Sequence, residues 1–406
     1  MGLQLPDGRP DHTHGGGTLK ASITSVDVAA KRVLVREDLN VPLSKDGIAD
    51  DARIRAAVPT LKHLADRGAK VIVMSHLGRP KGVEPALSLR PVAAVLGKQL
   101  GREVQFASDC VGQEAQAAVG KLQAGNVLLL ENVRFHPEEE ANDPEFAGRL
   151  AALGEIFVND AFAASHRAHA SVVGVAKHLP AYAGELMEAE LSALHKALDD
   201  PKRPLIAVVG GAKVSTKVGV LRHLLEKVDA LLIGGAMANT LFRAQGYPTG
   251  TGLVEESALD DAKKVEKQGG KRLILPVDLV CAKKMEAGPP VQVVEANAVE
   301  PGWMALDIGP KSVAEFSRHI STASTIVWNG PMGVAEIADF AKGTRAVGEA
   351  IAASSAYSLV GGGDTVAAID SLGIAGRFSH VSTGGGATLE YLEGKELPGV
   401  AILKEA

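Results

Sequence analysis

This chain of 406 residues has little cysteine, no long apolar run and no excess of basic residues. Its two cysteines, Cys110 and Cys281, are far apart and lack a C-x-x-C companion. They support neither a disulfide framework nor a cysteine metal site, and they suit a reducing compartment such as the cytoplasm. Because no apolar run approaches the roughly 18 residues of a membrane-spanning helix, we expect no membrane partner. Since 43 Lys and Arg face 48 Asp and Glu, the net charge is −5, which argues against general nucleic-acid binding.

The first 18 residues carry no recognisable targeting signal. They lack the basic and apolar regions of a secretory signal, and Pro6 stands where a myristoylation signal needs Ser or Thr. His12 and His14 could hint at a metal, but histidines in a stretch rich in glycine and proline are more often part of a disordered tail. We therefore interpret residues 1–18 as a flexible N-terminal tail.

Short apolar runs alternate with helical patterns from Lys20 to the end of the chain. The runs begin near residues 33, 71, 127, 156, 205, 230, 273, 325, 358 and 380. Continuous apolar strands that alternate with helices predict parallel sheets covered on both faces, with ligands beyond the carboxyl ends of the strands. The length suggests two domains. A helix predicted at 184–198, closed by the charged, proline-containing stretch 199–204, places their boundary near residue 200.

Basic side chains follow four apolar strands in the first half of the chain. They are Arg36, His76, Arg79, Arg134, His166, Arg167 and His169. Because the carboxyl ends of parallel strands meet at one edge of a sheet, these side chains should converge on one crevice. A single arginine of this kind is more often a solvated surface residue. The same feature at four strand ends indicates a site for a small, multiply charged anion.

Glycine-rich turns follow the strands of the second half, at 208–217, 231–237, 327–333, 359–365 and 381–388. In LVGGGDTV (359–366) an apolar strand meets three glycines and a helix start, where unpaired N–H groups attract an anion. Asp364 would repel that anion unless Mg²⁺ lay between them. One such turn could equally be an ordinary turn with an N-capping aspartate. Five in one domain indicate a nucleotide site, although the Walker and Rossmann fingerprints are both absent.

Two cations stand at predicted helix starts. Arg53 follows Asp51, a plausible N-cap, and Lys213 follows Gly211 and Ala212 at the start of the next predicted helix, 214–228. A cation in the first turn opposes the helix dipole by a few tenths to ~1 kcal/mol. Either both side chains are exposed and screened, or an anion occupies both helix ends.

Eight motifs in this order resemble those of the phosphoglycerate kinase family, from about Leu19 to the C-terminus. They are RVLVREDLNVP (32–42), MSHLGRP (74–80), LLENVRFHPEE (129–139), HRAH (166–169), GGAKVSTK (210–217), WNGPMGV (328–334), GGGDT (361–365) and STGGGATLEYLEGKELPGV (382–400). The resemblance implies an α/β fold with two doubly wound parallel-sheet domains joined by a helix and hinge. It implies a glycerate-substrate domain at 19–185, an interdomain helix at 186–200, a nucleotide domain at 201–390 and a C-terminal segment, 391–406, that returns to the first domain.

The resemblance also implies an activity. The family transfers a phosphoryl group reversibly between 1,3-bisphosphoglycerate and ADP to give 3-phosphoglycerate and ATP, with Mg²⁺ as cofactor and after domain closure. The resemblance implies that these small molecules are the only partners. It also implies that the protein is a monomer in the cytoplasm. A kinase for another small phosphorylated carboxylate is one alternative, although Asp38 and Asn40 suit a substrate hydroxyl. An inactive nucleotide-binding protein is another, but Arg53, Lys213 and Asp364 are all present.

Site residues follow from the matching motif positions. The resemblance implies glycerate binding by Asp38, Asn40, Arg53, His76, Arg79, Arg134 and Arg167. It implies nucleotide binding by Gly211, Lys213, Lys217, Gly235, Asn329, Pro331, Val334, Glu336, Gly361, Gly362, Gly363, Asp364 and Thr365. The implied catalytic groups are Arg53, Lys213, Gly362 and Gly385, and the implied metal ligand is Asp364.

Four positions depart from the family pattern: Leu39, Ala163, Ala236 and Asn239. Leu39, where the family usually has Phe, should alter packing only. Ala236 and Asn239 stand beside the expected nucleotide pocket and could alter nucleotide affinity. None of the four removes a charged residue of the site.

Overall fold

The computed structural model of the protein describes residues 20–45 and 47–406, so the predicted tail at 1–18 lies outside the described residues. The strands are β1 (Arg32–Arg36), β2 (Leu43–Ser44), β3 (Gly47–Ile48), β4 (Lys70–Met74), β5 (Val104–Phe106), β6 (Val127–Leu129), β7 (Ile156–Asn159), β8 (Ala181–Ala183), β9 (Leu205–Val209), β10 (Ala230–Ile233), β11 (Leu273–Ile274), β12 (Asp278–Ala282), β13 (Val291–Glu295), β14 (Met304–Ile308), β15 (Thr325–Asn329), β16 (Tyr357–Gly361) and β17 (His380–Val381). The α-helices are α1 (Ala52–Asp66), α2 (Arg90–Leu100), α3 (Gly112–Lys121), α4 (Pro144–Ala151), α5 (Glu185–Leu198), α6 (Val218–Lys227), α7 (Ala236–Ala244), α8 (Leu259–Gly269), α9 (Pro310–Thr322), α10 (Lys342–Ala353), α11 (Gly363–Ser371), α12 (Gly386–Leu392) and α13 (Pro398–Ala401).

Each half of the chain builds one six-stranded parallel sheet. The first has the order β5-β6-β4-β1-β7-β8, and the second has the order β11-β10-β9-β15-β16-β17. Central strands such as β4 and β9 are apolar along nearly their whole length because helices cover both faces of each sheet. The predicted α/β class with two parallel sheets is confirmed.

A three-stranded antiparallel sheet, β13-β12-β14, differs from the prediction of parallel strands alone. Its edge strand β13 alternates between exposed and half-buried side chains, which is typical of a sheet that faces solvent on one side. The apolar run predicted at 273 forms only the two-residue strand β11, and Pro276 follows it. Because proline cannot donate a ladder hydrogen bond, it does not fit the interior of a strand.

Helix α5 lies between the two sheets in the chain and matches the helix predicted at 184–198. Beyond α12 the chain returns to the first sheet. The Gly399 N–H donates to the Ser165 carbonyl (2.8 Å), and the Lys404 N–H donates to the Ala181 carbonyl (3.0 Å). These contacts attach the last residues of the chain to the first half, although the whole second sheet lies between them in the sequence.

The two cations predicted at helix starts have different outcomes. Helix α1 begins at Ala52, so Arg53 lies in its first turn, although the Asp51 side chain makes no capping hydrogen bond. The prediction for Lys213 is wrong, because α6 begins only at Val218. The Gly211 N–H donates to Pro331 and its carbonyl accepts from Met237, so this backbone is bonded to neighbouring loops rather than within a helix. The helix-dipole argument therefore applies to Arg53 alone.

Across residues 20–45 and 47–406, the helices all fall short of the length and apolar character that a membrane crossing requires.

The Glu190 side chain ties α5 to the second sheet. It is fully buried and accepts hydrogen bonds from His380 Nε2 (2.9 Å), the Thr383 N–H (2.7 Å) and Thr383 Oγ1 (2.8 Å). Burial by itself would raise the pKa of Glu190, but these hydrogen bonds outweigh burial and lower it. The carboxylate is therefore ionised and bound on both oxygens at neutral pH.

We expect Glu190→Ala to lower the free energy of unfolding by about 1–3 kcal/mol, because it removes the charge-assisted hydrogen bonds that join α5 to His380 and Thr383. Urea denaturation followed by circular dichroism measures this loss. Glu188→Ala is the matched control, since Glu188 is exposed on the same helix and its loss should stay within about 0.5 kcal/mol. Equal losses in the two variants would contradict the prediction.

Candidate active site

The four basic strand ends lie together in the first sheet, as predicted, because β6, β4, β1 and β7 are neighbours. Their loops are joined by hydrogen bonds around Gly78. The Gly78 N–H donates to Asn40 Oδ1 (2.8 Å), and its carbonyl accepts from Arg134 Nη1 (2.8 Å). We call this group of loops the basic crevice, defined by residues 36–40, 75–79, 131–135 and 165–171.

Arg36 forms the base of the basic crevice and not part of its open surface. Its guanidinium is buried and donates to Ser171 Oγ (2.8 Å), to the Glu37 carbonyl and to His76 Nδ1 (3.1 Å). Burial lowers the pKa of Arg36, while Glu139 and Asp38 oppose that shift. Because each nitrogen of the Arg36 guanidinium donates one of these bonds, Arg36 holds Ser171, Glu37 and His76 in position.

His76 is a neutral hydrogen-bond donor in this setting. A guanidinium can only donate, so His76 Nδ1 accepts from Arg36 and the ring proton resides on Nε2. Burial, followed by the charges of Arg36 and Arg134, lowers the pKa of His76 well below its usual value. The same causes lower the pKa of His169 to about 4. Both histidines are therefore neutral in this setting, and arginines carry the positive charge of the crevice.

Arg53 reaches the basic crevice from α1 and is held by Asp38. Arg53 Nη1 donates to Asp38 Oδ2 at 2.7 Å, and Asp38 Oδ1 accepts from the Asn40 N–H at 3.1 Å. The Arg53 side chain keeps 39% of its surface exposed, so the rest of its fork is free to meet a ligand. Asp38 thus offsets the unfavourable helix-dipole position that the sequence indicated.

The three remaining arginines differ in burial. Arg134 is 9% exposed, with Nε 3.2 Å from Glu140 Oε1, and burial lowers its pKa despite that neighbour. Arg167 is half-buried and its Nε donates to His166 Nε2 (3.0 Å). Arg79 is exposed. The crevice thus presents three different guanidinium groups. That of Arg134 is buried, that of Arg167 is bonded to His166, and that of Arg79 faces solvent.

The second sheet carries three backbone loops in close contact at its carboxyl edge. The Gly211 N–H donates to the Pro331 carbonyl (3.1 Å), and the Gly235 N–H donates to the Met332 carbonyl (2.8 Å). Gly235 has a φ of +69°, and a Cβ there would lie 2.6 Å from the Gly211 nitrogen and oxygen. Glycine is therefore required for this packing. We call these loops, residues 210–211, 234–235 and 330–332, the glycine cradle.

Lys217 lies beneath the glycine cradle. Its ammonium donates to the Gly210 carbonyl (2.7 Å), the Asn329 carbonyl (3.2 Å) and Asn329 Oδ1 (2.8 Å). Burial lowers its pKa to about 8, and the nearby Asp364 carboxylate opposes that shift. Its three bonds all go to uncharged oxygens, so an incoming phosphate would add the counter-charge that this ammonium lacks.

The first triple glycine opens α11. Gly362, with a φ of +92°, is the N-cap, and Asp364 lies in the first turn without a capping hydrogen bond. The alternative of an N-capping aspartate is therefore wrong, and the Asp364 carboxylate is exposed. Thr365 is fully buried and its Oγ1 accepts from the Gly330 N–H (2.6 Å), so this side chain joins α11 to the cradle.

Other predicted nucleotide residues surround the cradle less closely. Val334 is half-buried and packs in a small cluster with Phe340. Lys213 and Glu336 are exposed. Gly361 ends β16, and Gly363 begins α11 with open space where its Cβ would be. The backbone at Gly363 is thus accessible to a ligand.

The second triple glycine contacts the first domain. A Cβ on Gly384 would overlap the Phe162 ring, and one on Gly386 would lie 2.5 Å from His166 Cε1. His166 Nδ1 also lies 3.6 Å from Glu390 Oε1 on α12. This loop therefore brings Gly385, its middle residue, toward the arginine that His166 braces.

Sequence reasoning missed two buried carboxylates that organise these elements, Glu139 and Glu190. Glu139 Oε1 and Oε2 accept from Ser171 Oγ (2.5 Å) and the Ser171 N–H (2.8 Å). Glu190 follows Met187 by three residues on α5, so a charge on the buried face of that helix is the signal that could have found it.

An arginine-lined crevice on one parallel sheet and a glycine cradle on another define a two-domain phosphotransferase. The family model described as phosphoglycerate kinase matches residues 23–395. The chain therefore belongs to the phosphoglycerate kinase family, as its motifs predicted, and is a phosphotransferase with a carboxyl group as acceptor.

Individual relatives are similar along nearly their whole length. Phosphoglycerate kinase of Moorella thermoacetica is 55% identical over 390 residues, which cover 95% of this chain and 99% of that protein. The protein of the same name from Acaryochloris marina is 54% identical over 395 residues, with coverages of 95% and 98%. The structure of phosphoglycerate kinase from Coxiella burnetii matches with a TM-score of 0.88 and 44% identity, covering 94% of this chain and 98% of that one.

We expect Gly235→Ala to weaken nucleotide binding strongly, because its methyl group would push apart the loops of the cradle. Isothermal titration with ADP measures the effect. Gly246→Ala, at the other end of α7, is the matched control. Its φ is also positive, at +85°, but it has open space around the Cβ position. It should cost about 1 kcal/mol of stability and leave ADP affinity unchanged. Equal affinities in the two variants would contradict the prediction.

Proposed function

We propose that this chain transfers a phosphoryl group reversibly between 1,3-bisphosphoglycerate and ADP, giving 3-phosphoglycerate and ATP. The observation that carries the proposal is the pairing of a basic crevice with a glycine cradle at the carboxyl edges of two parallel sheets. The loop at 384–386, packed on Phe162 and His166, links the two. One sheet would bind the glycerate and the other the nucleotide.

The basic crevice supplies complementary groups for a phosphorylated hydroxy acid. Arg79, Arg134 and Arg167 would bind the phosphate and carboxylate by charge-assisted hydrogen bonds. His76 would donate through Nε2–H, and Asn40, whose Oδ1 is bonded to Gly78, keeps its amide hydrogens for the substrate. Asp38 would accept from the substrate hydroxyl while it holds Arg53. A phosphorylated carboxylate without a hydroxyl group would offer nothing for the Asn40 donor and the Asp38 acceptor to bind.

The glycine cradle would bind the nucleotide through its backbone. Gly211, Gly235, Pro331 and Val334 would shape the base and ribose pocket, with Glu336 at the ribose. Lys217, Lys213 and Asn329 would neutralise or bind the phosphates. The N–H groups of Gly361, Gly362 and Gly363 at the start of α11, and of Gly385 before α12, would face the transferred phosphate. We propose that Thr365 acts through its bond to Gly330 by positioning the cradle.

Catalysis would rest on position and charge. The attacking group in either direction, an ADP phosphate oxygen or the carboxylate of 3-phosphoglycerate, is already anionic, so no general base is required. Arg53 and Lys213 would stabilise the charge that spreads over the phosphoryl group. Since Asp38 fixes Arg53 beforehand, little reorganisation is needed at the moment of transfer.

Asp364 would hold the Mg²⁺ of the nucleotide. Its carboxylate is exposed in the first turn of α11, close enough to Lys217 to influence that residue's pKa. Mg²⁺ in nucleotide sites is typically held by one or two carboxylates together with substrate phosphates, so this donor set fits. The ion would supply positive charge that neutralises the phosphates of the nucleotide.

Because the two substrates would bind different domains, we propose that in-line transfer follows domain closure, which also excludes water from the acyl phosphate. The proposed bounds are 19–185 and 201–390 for the domains, 186–200 for the connecting helix and 391–406 for the returning segment. Since each site is built from one chain, we propose a monomer. The buried, free thiols Cys110 and Cys281 support a cytoplasmic location.

A coupled assay with 3-phosphoglycerate and MgATP tests the proposed function directly. The purified chain should consume ATP only when 3-phosphoglycerate is present. Glycerate without the phosphate, and a phosphorylated acid without the hydroxyl, should both be poor substrates. A preference for either one would favour a different kinase.

We expect Arg53→Ala to lower kcat far more than it raises KM, because Arg79, Arg134 and Arg167 remain to bind the substrate. Losing one preorganised donor to the transition state costs ~3–4 kcal/mol, a hundredfold to a thousandfold in rate. Steady-state kinetics measures this, with folding checked by thermal melting. Arg55→Ala is the matched control, since Arg55 lies on the same helix and pairs with Asp51. A raised KM with kcat intact would reduce Arg53 to a binding residue.

We expect the KM for ADP to rise as the pH passes the Lys217 pKa of about 8. A phosphate binds the charged ammonium, so above that pH binding must first restore the proton, and affinity should fall up to about tenfold per pH unit. Lys217→Arg keeps its charge at these pH values and should lose this dependence. Parent and variant share every other titrating group. An identical pH profile in both would exclude Lys217 as its source.

We expect Asp364→Ala to retain the fold but to need far more free Mg²⁺ for activity, because the ion loses its protein ligand. Titration of activity against free Mg²⁺ at fixed nucleotide measures the shift. Asp370→Ala is the control, since Asp370 is exposed on the same helix. Unchanged Mg²⁺ dependence in Asp364→Ala would remove this residue from the metal site.

A further inference from the structure

Three side chains with metal-ligating atoms meet beside the start of α3. Asp109 and Cys110 follow β5, and His136 follows the loop that carries Arg134. The ligand atoms of Asp109, Cys110 and His136 all lie within 4.8 Å of one another. Among the described residues, these three form the group of metal-ligating side chains that are close enough together to hold one ion. The proposed glycerate and nucleotide sites use none of these three.

The ligand set is typical of a zinc site. A thiolate, an imidazole nitrogen and a carboxylate oxygen are the three ligand types that Zn²⁺ takes, at bond lengths of roughly 2.0–2.3 Å. Tetrahedral geometry at those lengths places ligand atoms roughly 3.3–3.8 Å apart. Separations within 4.8 Å need only a small inward movement, and the 2.7 Å hydrogen bond from His136 Nε2 to Asp109 Oδ1 must open slightly.

The surroundings fix the ligands and leave an entry path. Asp109 Oδ1 accepts from the Cys110 N–H (2.6 Å), and the His136 ring packs against Phe146 with centroids 5.2 Å apart. Cys110 is fully buried, whereas the Asp109 and His136 side chains are 39% and 26% exposed. An ion can therefore arrive from the solvent side with one water as its fourth ligand.

The local charge favours a divalent cation. With Cys110 as thiolate and Asp109 ionised, two negative charges face one ion of charge +2. The carboxylate of Asp109 lies beside the buried sulfur and adds to the attraction for a cation.

We propose that Asp109, Cys110 and His136 bind one Zn²⁺ ion. A sulfur–zinc bond replaces the Cys110 S–H bond, and the released proton passes to solvent. The proton of His136 Nε2–H moves to Nδ1 by exchange with solvent, so that Nε2 and the Asp109 carboxylate bind zinc in place of their hydrogen bond. The bound ion would join the start of α3 to the loop of residues 132–136. No electron is transferred and no further reactant is needed.

Co²⁺ titration of the full chain tests this proposal, because a thiolate bound to Co²⁺ gives a charge-transfer band in the near ultraviolet. All proteins carry His12→Ala and His14→Ala, which remove two possible ligands outside the described residues. The parent should develop the band at one equivalent of Co²⁺ and lose it when Zn²⁺ is added. Cys110→Ser should lack the band, and Cys281→Ser, which removes the other buried cysteine, should keep it.

A second variant separates binding from folding. His136→Ala leaves the buried cysteine in place and should weaken Zn²⁺ binding at least as much as the ~10-fold that loss of a supporting group causes. Zn²⁺ should raise the melting temperature of the parent but not of His136→Ala, and should release one proton per ion in the parent. Absence of the band in the parent, or an equal band in Cys110→Ser, would overturn the proposal.

Discussion

A buried chain of hydrogen bonds through Arg36 is the interaction on which the basic crevice depends. It runs from Glu139 to Ser171 (2.5 Å), from Ser171 to Arg36 (2.8 Å) and from Arg36 to His76 (3.1 Å). A buried guanidinium is tolerated only when its N–H groups are hydrogen-bonded and its charge is balanced. The hydrogen bonds to Ser171 and His76 meet the first condition, and the nearby Glu139 carboxylate meets the second. Because it connects the end of β1 with the segments that follow β4, β6 and β7, it fixes the positions from which the other arginines project.

The glycine cradle is built in the opposite way, with little fixed charge. Its loops are held by backbone hydrogen bonds among Gly211, Pro331, Gly235 and Met332, and the half-buried Lys217 lies beneath them. Backbone N–H groups and helix starts attract phosphate without the desolvation cost of several buried cations. A site of this kind can release a product nucleotide, which several fixed guanidinium groups would retain.

Much of this arrangement could be predicted, because it follows from strand direction. Parallel strands send their carboxyl ends to one edge, so basic and glycine-rich turns that follow them must gather there. Protonation was not predictable in the same way. His76 and His169 read as cations in sequence, but burial beside Arg36 and Arg134 makes them neutral. That outcome depends on three-dimensional neighbours that no local pattern encodes.

Helix starts and departures from the family pattern show the same limit. Lys213 follows glycines, a pattern that predicted the start of a helix. The backbone at Gly211 instead forms hydrogen bonds with other loops, and α6 begins only at Val218. Leu39 is fully buried and packs with apolar residues of β1, β4 and α1, which fits the expectation that it alters packing. Asn239 is buried on α7, and its Nδ2 has no hydrogen-bond partner within the described part of the chain.

Arg53 illustrates how local cost and catalytic use are connected. In the first turn of α1 its charge opposes the helix dipole, and from sequence alone only a bound anion could reverse that sign. The structure adds a second reason, because Asp38 lies 2.7 Å from Arg53 and offsets the local cost before any ligand arrives. The same contact aims the guanidinium and leaves part of its fork open. A cation held this way can meet transient charge without first being ordered, which is the condition for an interaction that acts mainly in the transition state.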